Sequence, residues 1–147
     1  MIKLGLFHQD ELVAVMTFGK PRFNKNYEYE LIRYATSKHV IGGASKLLKY
    51  FERKFNPKSI ITYADRRFSQ GNMYYKLGFN YLNLAPANYW WINSTNLYNR
   101  YQTQKHKLKT LLKKFDENLS ESENMFLNHF NKIYDCGNLV FIKDFLT

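Results

Sequence analysis

The sequence predicts a fold of the α/β class (α+β), with strands and helices around a hydrophobic core. Two alternating apolar runs, from Ile2 to Phe7 and from Leu12 to Phe18, flank a short polar turn. This pattern is typical of a β-hairpin. From Val40 to Phe79, helix-like and strand-like patterns alternate. At 147 residues and 45% hydrophobic content, the chain is long and apolar enough to bury a sizeable core.

A third strand is predicted from Tyr27 to Ala35, after a basic loop at 19–26 that contains Pro21. Side chains alternate between the two faces of a strand. Strict alternation would place one set of residues on one face: Tyr27, Tyr29, Leu31, Arg33 and Ala35.

The stretch from Val40 to Phe79 predicts two helices around a buried strand. The first helix opens at Gly42-Gly43 and repeats apolar residues at helical spacing: Ala44, Leu48, Phe51 and Phe55. Asn56-Pro57 ends it, because proline lacks the amide that the helix needs. Ser59 to Ala64 is the strand. We expect Ser69 to cap the second helix and Gly78 to terminate it.

Beyond Phe79 the patterns are shorter. Strands are predicted at 81–84 and 89–92, and one of the adjacent tryptophans, Trp90 or Trp91, must face away from the other. An amphipathic helix is marked by Leu108, Leu111, Leu112 and Phe115. Ser120 and Glu123 form a capping box, and a β-type run covers 133–142. We divide the chain into a core at 1–92 and a basic C-terminal extension at 93–147 that packs on the same domain.

The charge balance predicts a polyanionic partner. Lysine and arginine number 22 against 12 acidic residues, so the net charge is +10. Nucleic acid is the first expectation, DNA before RNA, and an acidic membrane surface is the second. We expect no membrane span, because no run of about 18 apolar residues exists. A lone cysteine, Cys136, excludes an intrachain disulfide and favours a reducing cytoplasm.

Basic residues in several loops are the candidate nucleic-acid contacts. Lysines and arginines neutralise phosphates, and tyrosine rings can stack on exposed bases. The candidates are Lys20, Arg22, Arg66, Arg67, Arg100, Tyr101, Lys105 and Lys107. The alternative for such charge runs is a solvated surface.

The glycine turn before the first helix is a candidate anion site. Free amides at a helix start can hold a phosphate. The candidate residues are Gly42, Gly43, Ala44, Ser45 and Lys46. The alternative is a plain helix entry. The four histidines have no metal-ligand spacing with Cys136, so we predict no metal site.

Two segments resemble the GCN5-related N-acetyltransferase (GNAT) superfamily. GGASKLL at Gly42–Leu48 looks like its pyrophosphate loop, and NMYYKLGF at Asn72–Phe79 looks like its tyrosine-bearing helix and Gly-Phe exit. With VMTFG and ELIR before the first segment and ADRR between the two, the chain resembles the phage Mom-type DNA-modification family. The same block also resembles domains appended to phage homing endonucleases. The likeness covers about residues 4 to 92.

The resemblance implies a central mixed, mostly antiparallel sheet with flanking helices, shortened at its N-terminal side. It implies an acyltransferase that uses acetyl-CoA or a related acyl donor and modifies an amine of a DNA base in the host cytoplasm. A base in a duplex would have to be flipped out to be modified. Two alternatives stay open: a non-catalytic DNA-binding module, and a protein N-acetyltransferase that targets a host defence factor.

The resemblance also implies a catalytic set of Arg33, Asp65 and Tyr74. Tyr74 would protonate the departing thiolate, and Asp65 would orient the attacking amine or accept its proton. Glu30 is the alternative base. A structural ion pair of Arg33 with Asp65, and a Tyr74 that belongs to the core, are the competing interpretations.

Overall fold

The computed structural model describes residues 1–94 and 96–145. In chain order, the elements are β1 (Ile2–His8), β2 (Glu11–Gly19), β3 (Tyr29–Thr36), α1 (Gly43–Phe55), β4 (Ser59–Asp65), α2 (Asn72–Lys76), β5 (Asn80–Ala85), β6 (Tyr89–Asn93), β7 (Asn96–Asn99), α3 (Lys105–Leu111), α4 (Glu121–Leu127), β8 (Asn131–Tyr134) and β9 (Asn138–Asp144). They form two compact units. The first contains residues 1–85 and the chain from Asn138 onward, and the second contains residues 86–137.

The first unit is built on a six-stranded sheet in the order β1-β2-β3-β4-β9-β5. Every neighbouring pair is antiparallel except β3 with β4. Parallel neighbours need a crossover connection, and α1 supplies it between β3 and β4. The predicted α+β class and the mostly antiparallel sheet are therefore confirmed.

The predicted hairpin is formed by β1 and β2. Gln9 and Asp10 link the two strands and both have positive φ angles, 50° and 62°. A two-residue turn with both central residues in this region matches the natural twist of antiparallel strands. The local sequence therefore determines this connection.

The predicted strict alternation along β3 is wrong. The register shifts between Thr17 and Phe18 of β2, which pair with Arg33 and Leu31 and leave Ile32 as an extra residue. Such a bulge interrupts the two-residue period of a strand. Leu31 and Tyr34 consequently share the face that packs against α1, and Arg33 projects from the opposite face.

Aromatic stacking joins α1 to the sheet. The rings of Phe18 and Phe51 are stacked with centroids 3.6 Å apart, and Tyr29 meets Phe51 edge to face at 5.2 Å. Both Phe18 and Phe51 have no exposed surface. Pairs of this kind add about 0.5–1.5 kcal/mol to the stabilisation from burial. The helix ends as predicted, at Asn56 in the left-handed conformation before Pro57.

The second helix of the unit, α2, is only five residues long. Its cap is Gly71, with φ +80°, so the prediction of Ser69 as the N-cap is wrong. The Ser69 hydroxyl instead accepts the Gly71 N–H at 3.1 Å, within the preceding turn. Gly78, with φ +78°, follows the helix as predicted.

Residues 86–137 have their own small core. An antiparallel sheet in the order β7-β6-β8 packs with helices around Trp91, Leu108, Leu112, Met125 and Phe130. Trp91 is fully buried and Trp90 is partly exposed, as the alternation predicts. The capping box of Ser120 and Glu123 is present.

The two units do not divide the chain at residue 92, where the sequence predicts the boundary, because the second unit runs from residue 86 to 137. Strand β6 pairs with β7 and β8, whereas β9 pairs with β4 and β5 in the larger sheet. The β-type run at 133–142 is therefore split at 135–137 between two sheets. Within the described ranges, no helix is long and apolar enough to cross a membrane.

Gly71→Ala tests the packing of α2 on the sheet. A Cβ at Gly71 would lie 2.7 Å from Cε2 of Phe141 and even closer to its Cζ. Gly78→Ala is the matched control, because its φ is nearly the same and the nearest atom, Nζ of Lys143, is 3.6 Å away. The control should lose about 1–2 kcal/mol of unfolding free energy from backbone strain.

Gly71→Ala should lose about 1–3 kcal/mol more than the control, because the core is overpacked. Urea denaturation of both variants measures the difference. Equal losses would contradict the described contact between Gly71 and Phe141.

Candidate functional site

The two parallel strands β3 and β4 pair over a short distance only. Their register runs from Tyr29 opposite Ile60 to Leu31 opposite Thr62. Beyond that point β3 continues to Thr36 and β4 to Asp65. In open α/β sheets, ligand sites collect at the carboxyl ends of parallel strands. The turn that opens α1 and the turn that opens α2 both follow these ends.

A cleft of about 580 Å³ lies at this end of the sheet. The end of β3 supplies Tyr34 and Thr36, and α2 supplies Met73, Lys76 and Leu77. Four of the predicted anion-binding residues line the same cleft: Gly42, Gly43, Ala44 and Ser45. The structure therefore brings these four together at one wall.

The fifth predicted residue, Lys46, lines a neighbouring cavity of about 530 Å³. Val40, Ile41, Gly42 and Gly43 contribute to both spaces, so the glycine turn separates them. His8 and His39 also line the second cavity. In the described part of the chain, no three His, Cys, Asp or Glu side chains are grouped as metal ligands.

The structure requires glycine at both positions of the turn. Gly42 has φ +69°, a left-handed conformation that non-glycine residues adopt at a cost. A Cβ at Gly43 would lie 2.8 Å from Cγ1 of Val40 and 2.9 Å from the Tyr34 hydroxyl. The close approach of Tyr34 to the start of α1 therefore requires glycine.

Tyr34 is a cleft residue that the sequence pattern did not single out. Its hydroxyl accepts a hydrogen bond from the Ala44 amide, and burial raises its pKa above the usual value. A phenol with a raised pKa stays protonated at neutral pH and can donate to a ligand. The bulge at Ile32 turns Tyr34 toward α1, and a single-sequence pattern does not reveal a bulge.

Tyr74 packs into the sheet instead of facing the cleft. Its ring stacks on Phe141 at 5.2 Å and meets Phe79 edge to face at 5.8 Å. Among the described residues that line the cleft are its neighbours Met73 and Leu77, but not Tyr74. The structure thus shows the packing contacts of the competing interpretation, and the acid role of Tyr74 stays a prediction.

Asp65 is paired with Arg67. The Arg67 Nη2 donates to the Asp65 carboxylate at 2.6 Å, and the Arg67 backbone N–H donates at 2.9 Å. These bonds lower the pKa of Asp65 below its ordinary value, so the carboxylate is a weaker base.

Arg33 and Asp65 project from the same side of the sheet. Ile60 and Ala64 belong to the core beneath α1, so alternation along β4 turns Asp65 to the opposite face. The bulge places Arg33 on that face too. Tyr74 contacts the core side. The sheet therefore separates the predicted catalytic phenol from the predicted Arg33 and Asp65.

Glu30, the alternative base, is an anchoring residue. It has no exposed surface and accepts three hydrogen bonds from Arg22: from the backbone N–H at 2.7 Å, from Nε at 2.8 Å and from Nη2 at 2.6 Å. A carboxylate buried without such partners is costly. Glu30 thereby fastens the basic loop at 20–26 to the sheet.

The same loop is held a second time by Tyr63. The Tyr63 hydroxyl accepts a hydrogen bond from the Asn24 backbone N–H, and burial raises the pKa of Tyr63. Phe23 meets the Tyr63 ring edge to face at 5.4 Å. Four predicted nucleic-acid contacts are exposed in this loop and in the turn after β4: Lys20, Arg22, Arg66 and Arg67.

The remaining candidates lie in residues 86–137. Nζ of Lys107 is 3.1 Å from the ring centroid of Tyr101, which is 71% exposed. Arg100 lies over Tyr89 at 5.6 Å, and Lys105 is exposed at the start of α3. This unit carries seven lysines and arginines against five acids, whereas the first carries fifteen against seven. The positive excess is thus mostly in the first unit.

Arg67→Gln tests the cause of the lowered pKa of Asp65. Removing the guanidinium should raise that pKa toward its ordinary value, because the charged form loses its main partner. Carbon-13 NMR titration of the carboxylate measures the change. Arg33→Gln is the control and should leave the titration unchanged.

The same variant has an expected pH signature. A lowered folded-state pKa contributes stability above the unfolded-state pKa, and this contribution is lost as pH falls through the folded-state value. The stability deficit of Arg67→Gln relative to the unmodified protein should therefore be present at neutral pH and shrink in acid. An unshifted Asp65 titration in Arg67→Gln would contradict the assignment.

Comparison with models of known protein families gives no match for this chain, and comparison with curated proteins gives none either.

Proposed function

We propose that the chain is a GNAT-type acyltransferase whose cleft at the start of α1 binds acetyl-CoA or a related thioester. One observation carries the proposal: the predicted glycine turn forms the wall of a cleft of about 580 Å³ at the carboxyl end of the parallel pair. Small-molecule sites have about 300–1,000 Å³. The cleft is large enough for part of such a donor.

The electrostatics of the cleft support an anionic ligand. The first turn of α1 contains no acidic residue, so the positive end of its dipole is not neutralised locally. Lys76 lies on the α2 wall, and Lys46 lies in the cavity beyond the turn. The Gly43 N–H is engaged by the Val40 carbonyl at 3.3 Å and the Ala44 N–H by the Tyr34 hydroxyl, so a pyrophosphate at the turn would be held mainly by these two ammonium groups.

The chemistry assigned to the cleft is transfer from a thioester to an amine. The amine nitrogen attacks the carbonyl carbon, the carbon–sulfur bond breaks, and the thiolate leaves with a proton. Tyr34 supplies that proton in this proposal, because it lines the cleft and its phenol stays protonated. The phenolate then recovers the proton that the acylated nitrogen releases, so one proton passes from nitrogen to sulfur overall.

Nucleic acid is the proposed acceptor, in the manner of Mom-type DNA modification. The net charge of +10 and the exposed arginines beside the open end of β3 and β4 support this substrate. The exocyclic amine of a base is already neutral at physiological pH. It therefore needs no base before it attacks, which fits the engagement of Asp65 and Glu30 by arginines.

A second function is favoured by a specific observation. Tyr74 is stacked on Phe141, and both candidate carboxylates are paired with arginines. A non-catalytic DNA-binding module needs none of these groups free. That function predicts nucleic-acid binding without acetyl-CoA binding.

Calorimetric titration with acetyl-CoA tests donor binding. Lys76→Gln and Lys46→Gln should each weaken binding several-fold, because each removes a charge beside the proposed phosphate position. Lys49→Gln is the matched control, because it removes the same charge from an exposed position on α1. No heat at saturating acetyl-CoA would reject the acyltransferase and leave the DNA-binding module.

Tyr34→Phe tests the proton donor. Acyl transfer to DNA, measured by mass analysis of the released nucleosides, should slow by about 100-fold or more. Acetyl-CoA binding should change much less. Tyr75→Phe is the control, because Tyr75 on α2 is 54% exposed. A thermal melt checks that loss of the bond to Ala44 leaves the fold intact, and an unchanged rate would remove Tyr34 from the mechanism.

A further inference from the structure

Two phenylalanines are unusually exposed in the first unit. Phe23 is 72% exposed and Phe68 is 84% exposed. Each ring has an arginine guanidinium over it: Arg22 Cζ is 5.5 Å from the Phe23 centroid, and Arg67 Cζ is 5.3 Å from the Phe68 centroid. A single exposed apolar side chain is normal, whereas exposed aromatic rings that lie together mark binding surfaces.

Both rings lie beside the end of β4. Phe23 packs edge to face on Tyr63, and the Phe68 N–H donates to the Asp65 carbonyl at 3.0 Å. Tyr63 and Asp65 are two residues apart on one face of the strand, about 7 Å at the usual rise. The two phenylalanine–arginine pairs therefore flank one stretch of the outer sheet face.

Buried or paired carboxylates hold both arginines in place. Arg22 is bound by the fully buried Glu30, and Arg67 is bound by Asp65 through both carboxylate oxygens. Fixed partners reduce the side-chain entropy that binding would otherwise cost. The rings are thus presented at defined positions in advance of any ligand.

The charge around these rings selects the partner. The two acids, Glu30 and Asp65, are already engaged by arginines. Further cations lie in the same loop, in the same turn and on the same face: Lys20, Lys25, Arg33 and Arg66. A ligand that offers both negative charge and flat aromatic surface matches this composition, and unpaired nucleotides offer both.

We propose that Phe23 and Phe68, with Arg22 and Arg67, form a binding surface for single-stranded or locally unpaired nucleic acid. The rings stack on exposed bases, and the guanidinium groups contact phosphates. The inference rests on the nucleic-acid part of the proposed function and does not depend on acyl transfer.

Fluorescence anisotropy with a labelled DNA strand of about 16 nucleotides tests the surface. Phe23→Ala and Phe68→Ala should each weaken binding by about 5- to 100-fold, as expected for loss of one base–aromatic stack. Because no charge changes, the dependence of affinity on salt should keep its slope. Phe23→Trp and Phe68→Trp should instead bind about as tightly as the unmodified protein. The matching duplex and a single-stranded RNA are run in parallel, and the single strands should bind more tightly than the duplex.

Tyr50→Ala is the matched control. Tyr50 is an exposed aromatic residue on α1 with a cation over its ring, Lys54 at 5.4 Å, and it lies on the helix that covers the other face of the sheet. Its loss should leave the affinity unchanged. Thermal melts should place all variants close to the unmodified protein, because neither phenylalanine is buried.

The outcomes separate the inference from the proposed function. Unchanged affinity in both alanine variants would overturn the surface while leaving a nucleic-acid substrate possible. Weaker binding in these variants together with no acetyl-CoA binding would support the surface and reject the acyltransferase. Failure of the unmodified protein to bind any single strand at low salt, or binding to anionic lipid vesicles instead, would also overturn the inference.

Discussion

The short parallel pairing between β3 and β4 is the constraint on which the site depends. The ladder stops at Leu31 and Thr62, although both strands continue. Two strands that stop pairing leave room at their carboxyl ends, and the starts of α1 and α2 follow those ends. The cleft, the glycine turn and the basic turn after β4 are all consequences of this geometry. A fully paired sheet would close the same space.

The bulge at Ile32 gives the two faces of β3 different chemistry. It turns Tyr34 toward the start of α1 and Arg33 toward the opposite face, although the two residues are adjacent. A phenol at the cleft and an arginine on the charged face therefore lie on one strand, where β3 no longer pairs with β4. In the proposed function, this is where an acyl donor on one side would meet a nucleic acid on the other.

Arg22 and Arg67 have a structural role in addition to their proposed contacts with phosphate. Glu30 is buried and holds the basic loop through Arg22, and Asp65 holds Arg67 after β4. Carboxylates that look catalytic in a linear sequence can thus be the anchors of a cationic surface. Loss of Arg22 would leave the buried Glu30 carboxylate unpaired, which is costly, whereas the more exposed pair of Asp65 and Arg67 contributes little to stability.

The sequence alone determined the local features: the hairpin, the limits of α1, the β4 strand, the capping box of Ser120 and the glycine turn. Each depends on residues a few positions apart, through periodicity, caps or positive φ. Tertiary structure decided the bulge in β3, the face of Arg33, the packing of Tyr74 and the partners of Glu30 and Asp65. It also placed β9 between β4 and β5, far from its neighbours in the chain. These depend on pairing between distant segments, and strand register and side-chain partners at long range leave no periodic signal in one sequence.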